Sequence, residues 1–244
     1  MKILTILMGL ASLYLFNSCS KEKTFDCIKS TGDIKKEDRY FENFSSIEIE
    51  ENINLILVQD MPGKISIEAG ENLLPKLKST QEGTKIKVQN KNTCNWVRSY
   101  KYPITIYVGV NQVKKVIHKG YGKISNTDYL KTDSLGLNCL TYGEVDLTLE
   151  SKFVGFIADN HTTLSLSGKS NSIAGSCYNN SSVDTHQMNV AWFVLENSSL
   201  LDATIKCDSF IQAKIGSSGN INCYGNPSIV EYKQLSGSGR LLFP

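Results

Sequence analysis

Three aspartates, Asp146, Asp184 and Asp202, stand at the centre of short apolar-flanked segments, "VDL", "VDT" and "LDA". In an extended chain successive side chains point to opposite faces, so a carboxylate between two inward residues points outward. With Ser165 in "LSL" and Asn222 in "INC", the aspartates form an expected external column. Stacked carboxylates suggest either calcium binding or acid and base work on a glycoside, which needs two carboxyls roughly 5–10 Å apart. Asp184 and Asp202, one repeat apart, are expected to meet that distance. The plainer reading is a solvated strand face. It is preferred because no Arg or Lys accompanies the column as a base and the flanking loops are too short to build a cleft.

Other reactive types point the same way. His118, His161 and His186 are too scattered for metal-ligand spacing and no C-x-x-C pair occurs, so neither a metal site nor a cofactor is expected. Tyr100, Tyr102, Tyr121, Tyr142 and Tyr178 fall largely at turns, where a ring either stacks on a sugar or covers the edge of a coil; the second reading is favoured. Asn160, Asn179, Asn180 and Asn197 recur near turns and are expected to hydrogen-bond along a stack.

The elements that must carry these residues repeat. Aligned on the turn before each strand, Ile124, Val145, Leu164, Val183, Leu201, Ile221 and Leu241 recur every 18 to 21 residues. Each unit holds a second apolar segment and closes on polar turn residues. A helix-free repeat near twenty residues predicts an all-β fold, a parallel β-solenoid or β-helix, in which each coil lies ~4.8 Å from the next and like side chains form columns. One expected interior column is Cys139, Ala158, Cys177, Leu195, Ile215 and Leu235. Cys139 and Cys177, two coils or ~9–10 Å apart by strand spacing, exceed the ~7 Å reach of a disulfide and read as buried thiols. Pairing of Cys27, Cys94, Cys207 and Cys223 stays open.

Upstream, "SSIEIE", "INLILVQ", "KISIEA", "KIKVQN" and "ITIYVGV" alternate as strands between turn signals. Pro75 limits a helical tendency in "ENLLPKLKS" to about one turn. The expected division is 1–18 signal peptide, 19–36 polar tether and 37–244 β-helix domain, with 37–118 as irregular N-terminal coils and 119–244 as regular coils.

The whole-chain figures set the compartment. With 26 basic and 24 acidic residues the net charge is only +2, which argues against nucleic acid as a partner. Lys2 precedes an apolar run, Ile3 to Phe16, of signal length and too short to span a bilayer. It ends at Ser18-Cys19, similar to a bacterial lipoprotein signal, so Cys19 is the expected lipidation site and membrane attachment is through that lipid.

The stretches "FSSIEIEENINLILVQDMPGKISIEAGENLLPKLKSTQEGTKIKV" and "PITIYVGVNQVKKVIHKGYGKI" resemble the putative auto-transporter adhesin, head GIN domain family, common in lipoproteins of Bacteroidota. The likeness covers about Phe44 to Pro244, with Asn52-Ile53-Asn54 at the GIN-like motif and Asn52 replacing its Gly. The resemblance implies a single-stranded right-handed parallel β-helix and no established activity. The expected function is a non-catalytic, lipid-anchored outer-membrane module, on the periplasmic or surface side, contacting a glycan or an envelope protein. The alternative is a carbohydrate-active enzyme, similar to β-helical polysaccharide lyases and hydrolases, using the Asp146, Asp184 and Asp202 face.

Overall fold

The computed structural model describes residues 30–92 and 103–244. Cys19, Cys27, Cys94, Tyr100 and Tyr102 lie outside the described residues, as does the segment read as a signal peptide.

The N-terminal part comprises β1 (Ile34–Tyr40), β2 (Ser46–Glu51), β3 (Ile53–Val58), β4 (Lys64–Gly70), β5 (Leu77–Glu82), β6 (Lys85–Asn90), β7 (Ile104–Gly109) and β8 (Lys115–Gly120). β1 takes in residues 34–36, the last of the segment read as a tether. Pro75 confines the helical tendency to a single 3-10 turn, Leu74–Lys76. The chain order here is not the stacking order. β2 lies between β6 and β8, and β3 between β7 and β9 (Lys123–Asn126), all parallel. The coil laid down first therefore ends up second in the stack. The preceding strand β1 and the return excursion together supply antiparallel pairings that close this end: β1 on β4, β4 on β7, and β5 on β6.

From β8 onward every pairing is parallel. The strands are β10 (Leu130–Cys139), β11 (Glu144–Ala158), β12 (Thr163–Asn179), β13 (Ser182–Asp184), β14 (Met188–Ser199), β15 (Ala203–Lys206), β16 (Phe210–Ile215), β17 (Ile221–Tyr224), β18 (Ile229–Gln234) and β19 (Leu241–Leu242). The result is a parallel β-solenoid. β11 and β12 are long because each passes through a corner and serves both sides of its coil. Alternation sends Val145, Leu147 and Leu149 inward from one side of a coil, and Val154, Phe156 and Ala158 inward from the other.

Interior columns fill by complementary size. Phe156 lies in register with Gly175 on the next coil, and a Cβ at Gly175 would stand 2.1 Å from the Phe156 ring. The ring occupies the volume a side chain there would need. The same logic places His118 against Gly143, whose hypothetical Cβ would lie 2.1 Å from Nδ1 of the imidazole. His118 is fully buried between Ile49 and Cys139, and among the described residues neither ring nitrogen has a hydrogen-bond partner.

Two expected phases are corrected. The interior column runs Cys139, Ala158, Cys177, Asn197, Ile215, Gln234, so Asn197 stands where Leu195 was expected and Gln234 where Leu235 was. Leu195 is buried one column over, opposite Gly175 and Ala213, while Leu235 is exposed. Asn197 is tolerated inside because its amide is fully used: Nδ2 donates to the carbonyls of Asn220 at 2.9 Å and Leu201 at 3.2 Å, and Oδ1 accepts the Ser199 N–H at 3.2 Å. On the other side of the coil Ala203, not Leu201, follows Val183, and Leu201 is exposed. The slips at Leu195 and Leu201 are of two residues, which preserve the inward or outward sense of a side chain; the slip at Leu235 is of one residue, which turns that side chain to the other face.

The cysteines behave as the spacing requires. Cys139 and Cys177 are free and buried on either side of Ala158, and burial pushes both thiols up to about 12. Cys207 and Cys223 are also buried and free.

Candidate functional site

The acidic column is the first candidate, and its composition differs from expectation. In register the outward residues are Ser125, Asp146, Ser165, Asp184, Thr204 and Asn222. Thr204 takes the place assigned to Asp202, for the same two-residue slip that displaced Leu201. Asp146 and Asp184 are left two coils apart, ~9.5 Å by strand spacing, with a serine between them. Nor is the column free of lysine: Lys123 Nζ lies 3.3 Å from Asp146 and 2.6 Å from Glu144. Asp184 is engaged by its own turn, 2.5 Å from His186 Nδ1 and accepting the His186 N–H at 3.1 Å.

Asp202 serves the neighbouring turn. Its carboxylate accepts the Asn220 backbone N–H at 2.7 Å and the Asn220 and Asn222 side-chain amides at 3.3 and 3.2 Å. The Asn220 N–H, helped by those amides, holds the Asp202 carboxyl below its ordinary value despite partial burial. Among the described residues no group of three or more His, Cys, Asp or Glu is placed to hold a metal ion.

The turn tyrosines form a ladder. Tyr121 stacks on Tyr142 with centroids 5.8 Å apart, and Tyr142 on His161 at 4.8 Å. Asn180 continues the line, 3.4 Å from His161 Nε2. Stacking along the axis uses the faces of Tyr142, leaving its edge to solvent, which fits rings that cover coil edges better than rings offered to a sugar. The asparagines also bond along the stack: Asn160 donates to Leu140 O at 2.7 Å and Asn179 to Asp159 at 2.6 Å.

A broad concavity lies elsewhere, at the corner within β11 and β12. Register there passes from Ser151 and Ser170 to Phe153 and Ser172, so Lys152 and Asn171 drop out of the ladder. Asp133 and Ala191 do the same on the adjoining coils. Their side chains and an in-ladder column, Lys131, Glu150, Lys169 and Asn189, wall a groove of about 810 Å³ running along the stack. Ser151 donates to Ser170 across its floor at 3.0 Å. Lys152 pairs with Asp133 and Lys169 with Glu150, each at 2.7 Å, and these lysines hold both carboxyls below their ordinary values.

Three lysines face three carboxylates, Asp133, Glu150 and Asp208, so the groove is near neutral. The ion pairs are solvent-exposed and therefore cheap to rearrange. Its chemistry is a row of exchangeable donors and acceptors repeated at strand spacing.

Beside the corner an outward column carries exposed rings. Phe153, Ser172, Trp192, Phe210 and Ile229 are in register, with Trp192 and Phe210 centroids 5.0 Å apart. Trp192 is 54% exposed and directly follows the groove residue Ala191. Neither the groove nor Trp192 was singled out by sequence. The ring was findable, because alternation in "AWFVLEN" puts Phe193 and Leu195 inside and Trp192 outside.

Residues 43–227 match the family model described as "Putative auto-transporter adhesin, head GIN domain". The chain belongs to that family. The head GIN domain also has relatives among solved structures. A putative adhesin of Bacteroides fragilis is 18% identical with a TM-score of 0.73, over 86% of this chain and 96% of that one. One from Parabacteroides distasonis is 12% identical with a TM-score of 0.63, over 86% and 98%. A structure from the same species titled a putative lipid binding protein is 15% identical with a TM-score of 0.55, over 88% and 98%. At these identities the likeness is one of fold. No curated protein matches the sequence.

Proposed function

We propose that this head GIN domain is a non-catalytic binding module of the cell envelope, held at the outer membrane by a lipid on Cys19, which takes an extended uncharged glycan along its corner groove. The observation that carries the reading is the groove: open, near neutral, lined by amides, hydroxyls and paired charges over successive coils, and bordered by the exposed Trp192 ring. A sugar chain offers hydroxyls at regular intervals and apolar ring faces, which match such a row and such an indole. Membership of an adhesin-named family and the signal-like N-terminus support an envelope location. The carbohydrate-cleaving alternative loses its closest carboxylate pair, since Asp202 belongs to a turn.

The test is a glycan array with residues 30–244 and their Lys169→Ala, Trp192→Ala and Asp184→Asn variants. Loss of the groove lysine or the indole should weaken binding by about tenfold, the equivalent of ~1.4 kcal/mol, and Asp184→Asn should leave it unchanged. Binding that ignores both groove variants, or release of new reducing ends from the bound glycan, would overturn the proposal. Cys19→Ala in cells tests the anchor: the protein should move from the membrane to the soluble fraction.

A further inference from the structure

The two ends of the stack are built differently. At the N-terminal end the outermost strand on one side is β1, "IKKEDRY", whose charges blunt the edge that, among the described residues, is left unpaired. At the other end the outermost strand is β18, "IVEYKQ", paired with β16 on one edge and, among the described residues, with nothing on the second. Val230, Tyr232 and Gln234 continue the interior columns of Ile211, Ala213 and Ile215, yet Val230 is 46% and Tyr232 48% exposed. Leu235, Leu242 and Phe243 are exposed at the same end. An uncovered interior beside an unpaired backbone edge, on a strand whose one Glu and one Lys balance, is a template for another strand.

The sequence of β18 says which strand fits. The N–H groups of Ile229 and Leu235 bond back to Ser209 and Ile215 on the preceding coil, so the odd residues face inward along the stack. The even residues, Val230, Tyr232 and Gln234, therefore present their N–H and C=O to the free edge. An antiparallel partner must align with those residues as hydrogen-bonded pairs. A second copy of β18 does so when Tyr232 lies opposite Tyr232 and Val230 opposite Gln234. That register places Glu231 opposite Lys233, twice by symmetry, as a non-hydrogen-bonded pair, whose side chains are closest. Sliding the register to centre on Glu231 or on Lys233 sets like charges opposite each other.

We propose that two copies of this chain join tail to tail, β18 pairing antiparallel with β18 of the second copy about a two-fold axis at Tyr232. The contact is isologous and closes at two. The charged edge of β1 at the far end offers no equivalent surface for continuing the stack into a filament.

The register gives a self-reporting test in the full chain. In a hydrogen-bonded antiparallel pair Cα atoms lie ~5.5 Å apart, within the ~4.4–6.8 Å span of a disulfide. Tyr232→Cys should thus form an intermolecular disulfide under mild oxidation, identified by peptide mapping. Glu231→Cys sits two residues off its own symmetry mate and should not. Sedimentation velocity should show a dimer for the parent, a weakening of about tenfold or more for Glu231→Lys, and recovery in Glu231→Lys/Lys233→Glu. A monomeric parent, equal crosslinking at 231 and 232, or a charge swap that fails to restore association would overturn the proposal.

Discussion

Acidification should destabilise this solenoid through one residue deep in its interior. His118 lies between Ile49 and Cys139 with both nitrogens unpartnered among the described residues, and burial lowers its imidazole from 6.5 to about 4. The unfolded chain therefore binds more protons than the folded one between those values, and stability falls as pH drops through the window and levels below about 4. The full difference is about 3 kcal/mol, with about 2 kcal/mol lost by pH 5, since each unit is ~1.4 kcal/mol. Carboxylates titrate over part of the same range, so the measurement is a comparison. His118→Leu keeps the volume close while removing the titrating group. Urea unfolding of parent and variant at pH 7.5 and pH 5 should show the variant gaining about 2 kcal/mol on the parent over that interval. A gap that does not change with pH, or that moves in the parent's favour on acidification, would show that protonation of His118 is not linked to unfolding.

Three further outcomes follow from the carboxylates. Burial pushes the Glu48 carboxyl up, but Lys119 and Lys85, at 3.2 and 3.4 Å, outweigh it and hold the group below its ordinary value. Glu48→Gln should cost about 2 kcal/mol at pH 7, less than a fully buried pair because the lysines reach water; the gap from the parent should close as pH falls below about 4.5, read from urea midpoints. Asp202→Ala should lower stability by about 1 kcal/mol through loss of the Asn220 turn, with glycan binding unchanged, whereas Asp146→Ala should leave the thermal midpoint where it is.

The fold was legible because parallel in-register stacking imposes one spacing on every coil, and a recurrence of about nineteen residues in apolar positions survives any local substitution. What was not legible is phase. Alternation has period two, so Leu201 and Ala203 are equally inward by pattern, and the larger hydrophobe attracts the assignment although Ala203 is in register. Asn197 was misplaced for a related reason: its type signals a turn, and only the carbonyls of Leu201 and Asn220, brought in by neighbouring chain, make its burial affordable. β1 went unread because "IKKEDRY" has the composition of a solvated segment, as an edge strand should. The groove was beyond sequence because it arises where Asp133, Lys152, Asn171 and Ala191 leave the ladder at a bend, a property of the corner rather than of any motif.

The fit of Phe156 over Gly175 bears on how such a chain can change over generations. Constraint runs across coils: what position 175 tolerates is decided by position 156, nineteen residues earlier, more than by its sequence neighbours. Paired substitutions should accordingly show their strongest non-additivity at separations of one coil. A coil inserted by duplication would have to match the relief of the coil above and of the one below at once. Lengthening the solenoid is therefore easiest between coils whose facing columns are alike in size, and hardest at Phe156 and Gly175, where each surface is the mould of the other.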